Sequence, residues 1–310
     1  MTSLRVKLGD QRGIALLVVL WTLMLLSLLV VAFAQQTHLE RQRVSNVIAA
    51  AAAASDLQAG LSLGIGALLD PKAPRAWIHD GSPRELEFAG RRISVSIQDA
   101  NGCINVNQAD AEQLQSLLRA VGVEGNAARS LAAAIIDWRD PDSVLTPNGA
   151  ELATYVENGW STGPANRPFV SVSELKGVLG MPPDVADSLA SLLSVSNEGE
   201  INPMTAPEPV LRAVFPPEQV SGILARRAKR AEAKAERDGA LPASDLGDAD
   251  LRSASDKDLV EVPEGPIFQL EIATVSQQGA SARARAVVWL TQDAKNPYYV
   301  LDWQIARPSL

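Results

Sequence analysis

The pattern of apolar and polar positions divides the chain into stretches of different period. From Ile14 to Ala34 there is no charged residue, no proline and no glycine. A run of roughly 20 residues at about 1.5 Å each matches a bilayer core of about 30 Å, so this stretch predicts one membrane-spanning helix. Arg5, Lys7 and Arg12 precede it against the single acid Asp10. Basic residues stay on the cytoplasmic side, which places the N-terminus there and the bulk of the chain across the membrane. Helical character continues beyond Ala34. Gln35 to Leu69 holds no proline, and Ala49 to Ala54 is an unbroken alanine run. Val44, Val47, Ile48, Ala51, Leu57, Leu61 and Leu68 fit a helical stripe loosely, Gly60, Gly64 and Gly66 weaken the last turns, and Asp70-Pro71 ends the helix.

Strand alternation follows. Leu86 and Phe88, then Ile93, Val95 and Ile97, alternate with polar residues around Ala89-Gly90-Arg91 and predict a hairpin with one buried face. A turn is expected at Asp99-Ala100-Asn101-Gly102. From Cys103 the period becomes helical and the sequence echoes itself. Ile104-Asn105-Val106-Asn107-Gln108-Ala109 precedes a helix with Leu114, Leu117, Leu118 and Val121, and Ile201-Asn202-Pro203-Met204-Thr205-Ala206 precedes one with Val210, Leu211 and Val214. A further unit opens at Ser171-Val172-Ser173-Glu174-Leu175. Each unit reads as helix, tight turn, helix, with Asn107, Ser171 or Ser173, and Thr205 expected as N-caps. Ala225 to Arg237 predicts a charged, solvated helix, and the residues to Pro263 a loop. Alternation returns at Phe268, Leu270, Ile272 and Thr274, at Ala282 to Trp289, and at Tyr298 to Ile305, predicting three antiparallel strands. The fold class is therefore α+β. Both chain ends build one sheet body, with residues 101–265 inserted as an all-α domain of helix-hairpin-helix-like units.

A net charge of −8 argues against general nucleic-acid binding. It bears on the rival reading, a membrane-anchored helix-hairpin-helix DNA receptor of the competence type. Hairpins that hold DNA present Gly-x-Gly amides to a phosphate. Here the turns read Ala120-Val121-Gly122-Val123, Leu179-Gly180-Met181-Pro182 and Val214-Phe215-Pro216-Pro217, and proline removes a donor where one is needed. The hairpins read instead as packing units, without nucleic acid as a partner. The single cysteine, Cys103, rules out an intrachain disulfide. His38 and His79 have no ligand partner at helical spacing and read as surface residues. No nucleophile–base pair, phosphate loop or zinc spacing is present, so the chain does not read as an enzyme. The densest group of oxygen donors is Asp137-Trp138-Arg139-Asp140-Pro141-Asp142 with Pro147-Asn148-Gly149-Ala150-Glu151. It suits either a hard cation, since calcium takes six to eight oxygens, or a solvated turn, and its spacing is not that of an EF-hand.

Three readings of the N-terminus compete on residues alone: an uncleaved signal anchor, a secretory signal cut after Ala32-Phe33-Ala34, and a short leader ending at Gly13. The last resembles the processing site of type IV prepilins, where a prepilin peptidase cuts after the glycine and Ile14 becomes the methylated N-terminus. The fifth mature residue is usually Glu in that superfamily; here it is Val18, which suits a subunit with none above it.

Taken in order, several pieces resemble the protein K family of the type II secretion system, its large minor pseudopilins. They are Gly13-Ile14-Ala15-Leu16-Leu17 with Val18, Ile104-Asn105-Val106-Asn107, the acidic stretch 137–151, Ala165-Asn166-Arg167-Pro168-Phe169 with Ser173-Glu174-Leu175, Gly180-Met181 and Ile201-Asn202. The resemblance implies a leader over 1–13, a transmembrane stalk over 14–34 and stalk plus the first part of a pilin-like body over 35–100. It implies a helical insertion with a loop over 101–265, and strands completing the body over 266–310. It further implies calcium in the insertion, with Asp140, Asp142 and Glu151 as ligands and Asp137 as a further candidate. Its expected role is at the tip of the pseudopilus in the bacterial inner membrane, initiating the filament for export of folded proteins. The implied partners are other minor pseudopilins, the prepilin peptidase, the inner membrane, and the secretin or exported substrates. At Tyr155-Val156-Glu157-Asn158-Gly159-Trp160 the sequence departs from the family pattern.

Overall fold

The computed structural model describes residues 11–70, 77, 79–197, 200–239, 265–275 and 281–306, with the backbone alone for 11–15, 38–39, 231–239 and 275. The expected leader up to residue 10, the expected loop over 240–264 and the side chain of His38 lie outside the described residues. The chain divides into two compact units, 1–55 and 56–310.

The first unit is the greater part of helix α1, Gln11–Leu69. Its apolar side chains from Leu16 to Phe33 are exposed, and the stretch is long and apolar enough to cross a membrane. The few polar side chains satisfy themselves within the helix. Thr22 donates to the Val19 carbonyl, Ser27 to that of Leu23 and Thr37 to that of Phe33. In a medium with no water, an internal partner removes the cost of a bare hydroxyl.

The second unit holds two hydrophobic cores. The first belongs to a five-stranded antiparallel sheet of order β1-β2-β5-β6-β7, made of β1 Arg84–Phe88, β2 Arg91–Asp99, β5 Ile267–Val275, β6 Ser281–Leu290 and β7 Tyr298–Ala306. The expected hairpin is present. Ala89 (φ 51°) and Gly90 (φ 74°) form its two-residue turn, both in the left-handed region that matches strand twist. Ile93, Val95 and Ile97 of β2 pack with Phe268, Leu270 and Ile272 of β5 and with Ala284, Ala286 and Val288 of β6. Leu57, Leu61 and Ile65 of α1 cover this face.

The glycines of α1 have a role that helix propensity does not reveal. A Cβ at Gly60 would stand 2.5 Å from Ile272 Cγ2, and one at Gly64 2.6 Å from Leu270 Cδ2. Both glycines, one turn apart, let the helix backbone lie directly on the sheet. The loss of propensity is offset by packing. Asp56, on the same helix, binds Arg91 at 2.7 Å.

β2 and β5 are adjacent, with Asp99 opposite Phe268, so the helical residues between them leave and rejoin the sheet at neighbouring points. This stretch comprises α2 Ala111–Ala120, α3 Gly125–Arg139, α4 Leu152–Glu157, a 3₁₀ turn Val172–Gly177, α5 Pro183–Leu189, α6 Glu208–Val214 and α7 Pro217–Gly239. Two short parallel strands, β3 Ile104–Asn105 and β4 Leu193–Ser194, join its start to the segment between α5 and α6. Its own core includes Leu114, Leu117, Leu118, Ile135, Leu175 and Leu211.

The sequence echo is also an echo in space. Asn105 Oδ1 accepts from the Asn107 amide and Asn202 Oδ1 from that of Met204. Arg139, at the end of α3, donates to the carbonyls of Val106 and Ala109; Arg227 of α7 donates to those of Pro203 and Ala206. Each turn is closed by an arginine from the second helix of its own hairpin.

Three expectations need correction. The N-cap of α2 is Asp110, in a capping box with Gln113, while Asn107 clamps the Phe169 backbone through both its amide N and O. Pro207 precedes α6, and Thr205 instead donates to Asp99 at 3.0 Å. His79 is buried, its ring edge-on to Phe268 at 5.1 Å between centroids, because the chain doubles back there to bridge Asp80 with Gln98. Ser171 caps the 3₁₀ turn as expected.

Candidate metal centre

Helix α3 ends where Pro141 cannot continue it, and Asp140 is its C-cap. Asp137, one turn earlier and fully buried, folds the following loop back onto the helix end. Its carboxylate accepts the Ala150 amide at 2.8 Å and the Thr146 amide at 3.3 Å. The loop can come this close only because residue 149 is glycine, since a Cβ there would stand 2.1 Å from Asp137 Oδ2. Asn148 at φ 69° makes the turn. Asp142 Oδ1 accepts the Val144 amide at 2.8 Å, and Glu151 stands at the start of α4 without capping it.

These devices bring Asp140, Asp142 and Glu151 together, one oxygen of each lying within 4.8 Å of the others. Asp140 Oδ1 and both Glu151 oxygens are buried without a hydrogen-bond donor. Burial raises the Glu151 carboxyl above its ordinary range, helped by the negative charges of Asp137 and Asp140. The Leu152 amide opposes that rise without reaching hydrogen-bond geometry with either oxygen. Burial likewise raises Asp140, with Asp142 and Asp137 adding to it and Arg139 opposing. Buried carboxylate oxygens that face one another without donors fit a hard cation. Asp137 stands outside the three, both its oxygens turned to loop amides.

Asn166 escaped the sequence reading as a member of this site. Its backbone sits at φ 47°, its Nδ2 donates to the Asp142 carbonyl at 2.8 Å, and its Oδ1 is buried without a donor. The signal available was an asparagine ahead of Arg167-Pro168, a type that tolerates the left-handed region. At the other end of the chain, Gly13 and Ile14 lie in the backbone of α1, and Val18 is exposed on it.

Residues 93–198, which contain the whole acidic loop, match the family model described as type II secretion system (T2SS), protein K. Over this stretch the chain is similar to the protein K family of the type II secretion system. Similar proteins include the type II secretion system protein K of Klebsiella pneumoniae, 29% identical over 256 residues that make up 72% of this chain and 76% of that protein. Another is the protein K of Pectobacterium carotovorum, 29% identical over 202 residues, 56% of this chain and 60% of the relative. The Pseudomonas aeruginosa protein K is 28% identical over 166 residues, half of each chain. A chain in the crystal structure of the GspK-GspI-GspJ complex from the enterotoxigenic Escherichia coli type 2 secretion system is 20% identical, with a TM-score of 0.49 over 86% of this chain and 99% of that one. The stretch similar to protein K thus begins on β2 of the sheet and runs through the candidate centre to the residues after β4.

Proposed function

We propose that this chain is a minor pseudopilin at the tip of a type II secretion pseudopilus. Prepilin peptidase would cleave after Gly13 and leave Ile14 as the methylated terminus, with residues 14–34 of α1 in the inner membrane and the second unit in the periplasm. The observation that carries this reading is the match to the protein K family over residues 93–198 in one chain with an apolar helix entered through Gly13. Val18 supports a tip position. An acid at the fifth mature residue would have to meet the amine of a subunit above, and an unpaired charge in the membrane is costly. In this reading other minor pseudopilins are the partners with which the chain initiates the filament, and the secretin or exported proteins are contacted later. Residues 101–265 form the insertion, in which Asp140, Asp142 and Glu151 hold calcium. The ion would tie the end of α3 to the start of α4, a structural task rather than a chemical step.

The test is to express the full chain with a prepilin peptidase and measure intact mass and N-terminal sequence. A chain beginning at Ile14 is the expected result. One retaining Met1, or beginning at Gln35, overturns the pseudopilin reading.

A further inference from the structure

The two outer strands of the sheet differ in chemistry. β1 is five residues long and carries Arg84, Glu85 and Glu87, the kind of charged edge that discourages further pairing. β7 is nine residues long and carries one charge, Asp302. Tyr298, Tyr299, Val300, Leu301 and Ile305 are between 39% and 52% exposed. One side of β7 pairs with β6; along the other, no strand among the described residues meets its backbone groups. A long, apolar, unpaired edge is a template for another strand, because only an extended chain presents carbonyls and amides at matching spacing.

The central charge identifies the kind of strand. Asp302 Oδ2 accepts from Ser171 Oγ at 2.7 Å and from Gln304 Nε2 at 2.8 Å, so the acid is held in place at the middle of β7. Antiparallel pairing of two β7 strands over their full length would set Asp302 against its own copy, and like charges directly opposite are destabilising. A complementary strand has apolar flanks and a donor side chain, amide or basic, opposite Asp302.

We propose that β7 is a docking edge that takes such a strand from a neighbouring pseudopilin subunit, extending the five-stranded sheet. This rests on the reading of the chain as a minor pseudopilin, and adds to it the surface and the mode of contact.

The experiment co-expresses the full chain with the other minor pseudopilins of the same secretion system and purifies the assembly in detergent. Amide hydrogen exchange is then followed in β7, alone and in complex. Variants Leu301→Lys and Ile305→Lys are compared with Phe88→Lys on the opposite edge, and melting of each free variant checks its fold. At least tenfold slower exchange of the outward β7 amides in the complex is expected, with tenfold less partner retained by either β7 lysine and no loss for Phe88→Lys. Unchanged β7 exchange in an assembly that forms normally overturns the docking edge and leaves the pseudopilin reading intact. Failure of the unmodified chain to hold any pseudopilin overturns both. A homodimer that Leu301→Lys dissolves makes a second copy the occupant and overturns the choice of partner.

Discussion

Glu151→Gln should change the stability of the protein in opposite directions with and without calcium. The carboxylate faces Asp140 and Asp142 with oxygens within 4.8 Å, and has no donor of its own. At an effective dielectric of about 20, each such pair repels by roughly 3 kcal/mol. Asp142 reaches solvent and its share is screened, so removing the Glu151 charge should relieve about 1–3 kcal/mol when no cation is present. With calcium at a thousand times its dissociation constant, binding adds about 4 kcal/mol to the unmodified chain, and loss of one ligand removes most of it. For a folded unit of this size, about 1 kcal/mol moves the melting temperature by roughly 2–4 °C. The assay is thermal unfolding of the full chain in detergent, in millimolar calcium and in chelator. In calcium the unmodified chain should melt about 10 °C above its value in chelator, and the variant should gain only a few degrees. In chelator the variant should melt above the unmodified chain. If Glu151→Gln melts lower in both conditions, the three acids are a solvated turn with a structural Glu151, and the cation reading is refuted.

Two further substitutions probe the body. Gly60→Ala should cost about 1–3 kcal/mol in chemical unfolding, because its Cβ meets the buried Ile272 and Ile93 methyls, whereas Gly66→Ala, with nothing within 4 Å, should be neutral or stabilising by up to about 1 kcal/mol; equal effects would deny the close approach of α1 to the sheet. Asp99 has a raised carboxyl pKa, chiefly through burial and against the pull of the Asn101 and Gly265 amides, Asn202 and Thr205. A folded value above the unfolded one means that its contribution to stability is full below about pH 3.9 and lost as pH rises through the folded value. Asp99→Asn should therefore remove one falling component from the stability–pH curve measured by urea titration from pH 3 to 7, and lower stability by a few kcal/mol because its amide faces donors; an unaltered curve shape would refute the assignment.

The periodic elements were legible in the sequence because burial has the same period as the backbone. Ile93, Val95 and Ile97 alternate inward, and Leu114, Leu117 and Leu118 share one helical face. The echo of Ile104-Asn105 and Ile201-Asn202 was visible too, although the arginines that close both turns were not, since Arg139 and Arg227 lie at different separations from them. What escaped prediction depends on tertiary neighbours. Asn107 and Thr205 have capping chemistry, but their partners, Phe169 and Asp99, lie 62 and 106 residues away. The glycines of α1 read as weak helix until Ile272 and Leu270 are placed beneath them. At the acidic loop the sequence supplied Asp140, Asp142 and Glu151 as a set. The division of labour that turns Asp137 to the amides of its own loop needed the fold.

The Asp99 junction has a consequence for the order of folding. Its carboxylate binds Gly265, 166 residues away, at the point where β5 is about to pair with β2. Closing a flexible loop of that length costs about 4–5 kcal/mol in chain entropy, and β2–β5 pairing alone recovers it slowly. If the helical stretch forms first, through its own local contacts, Asn202 and Thr205 come to Asp99 already ordered and the ends of β2 and β5 arrive side by side. The sheet would then wait on the helices. A substitution deep in the helical core would slow the appearance of sheet structure, although it touches no strand.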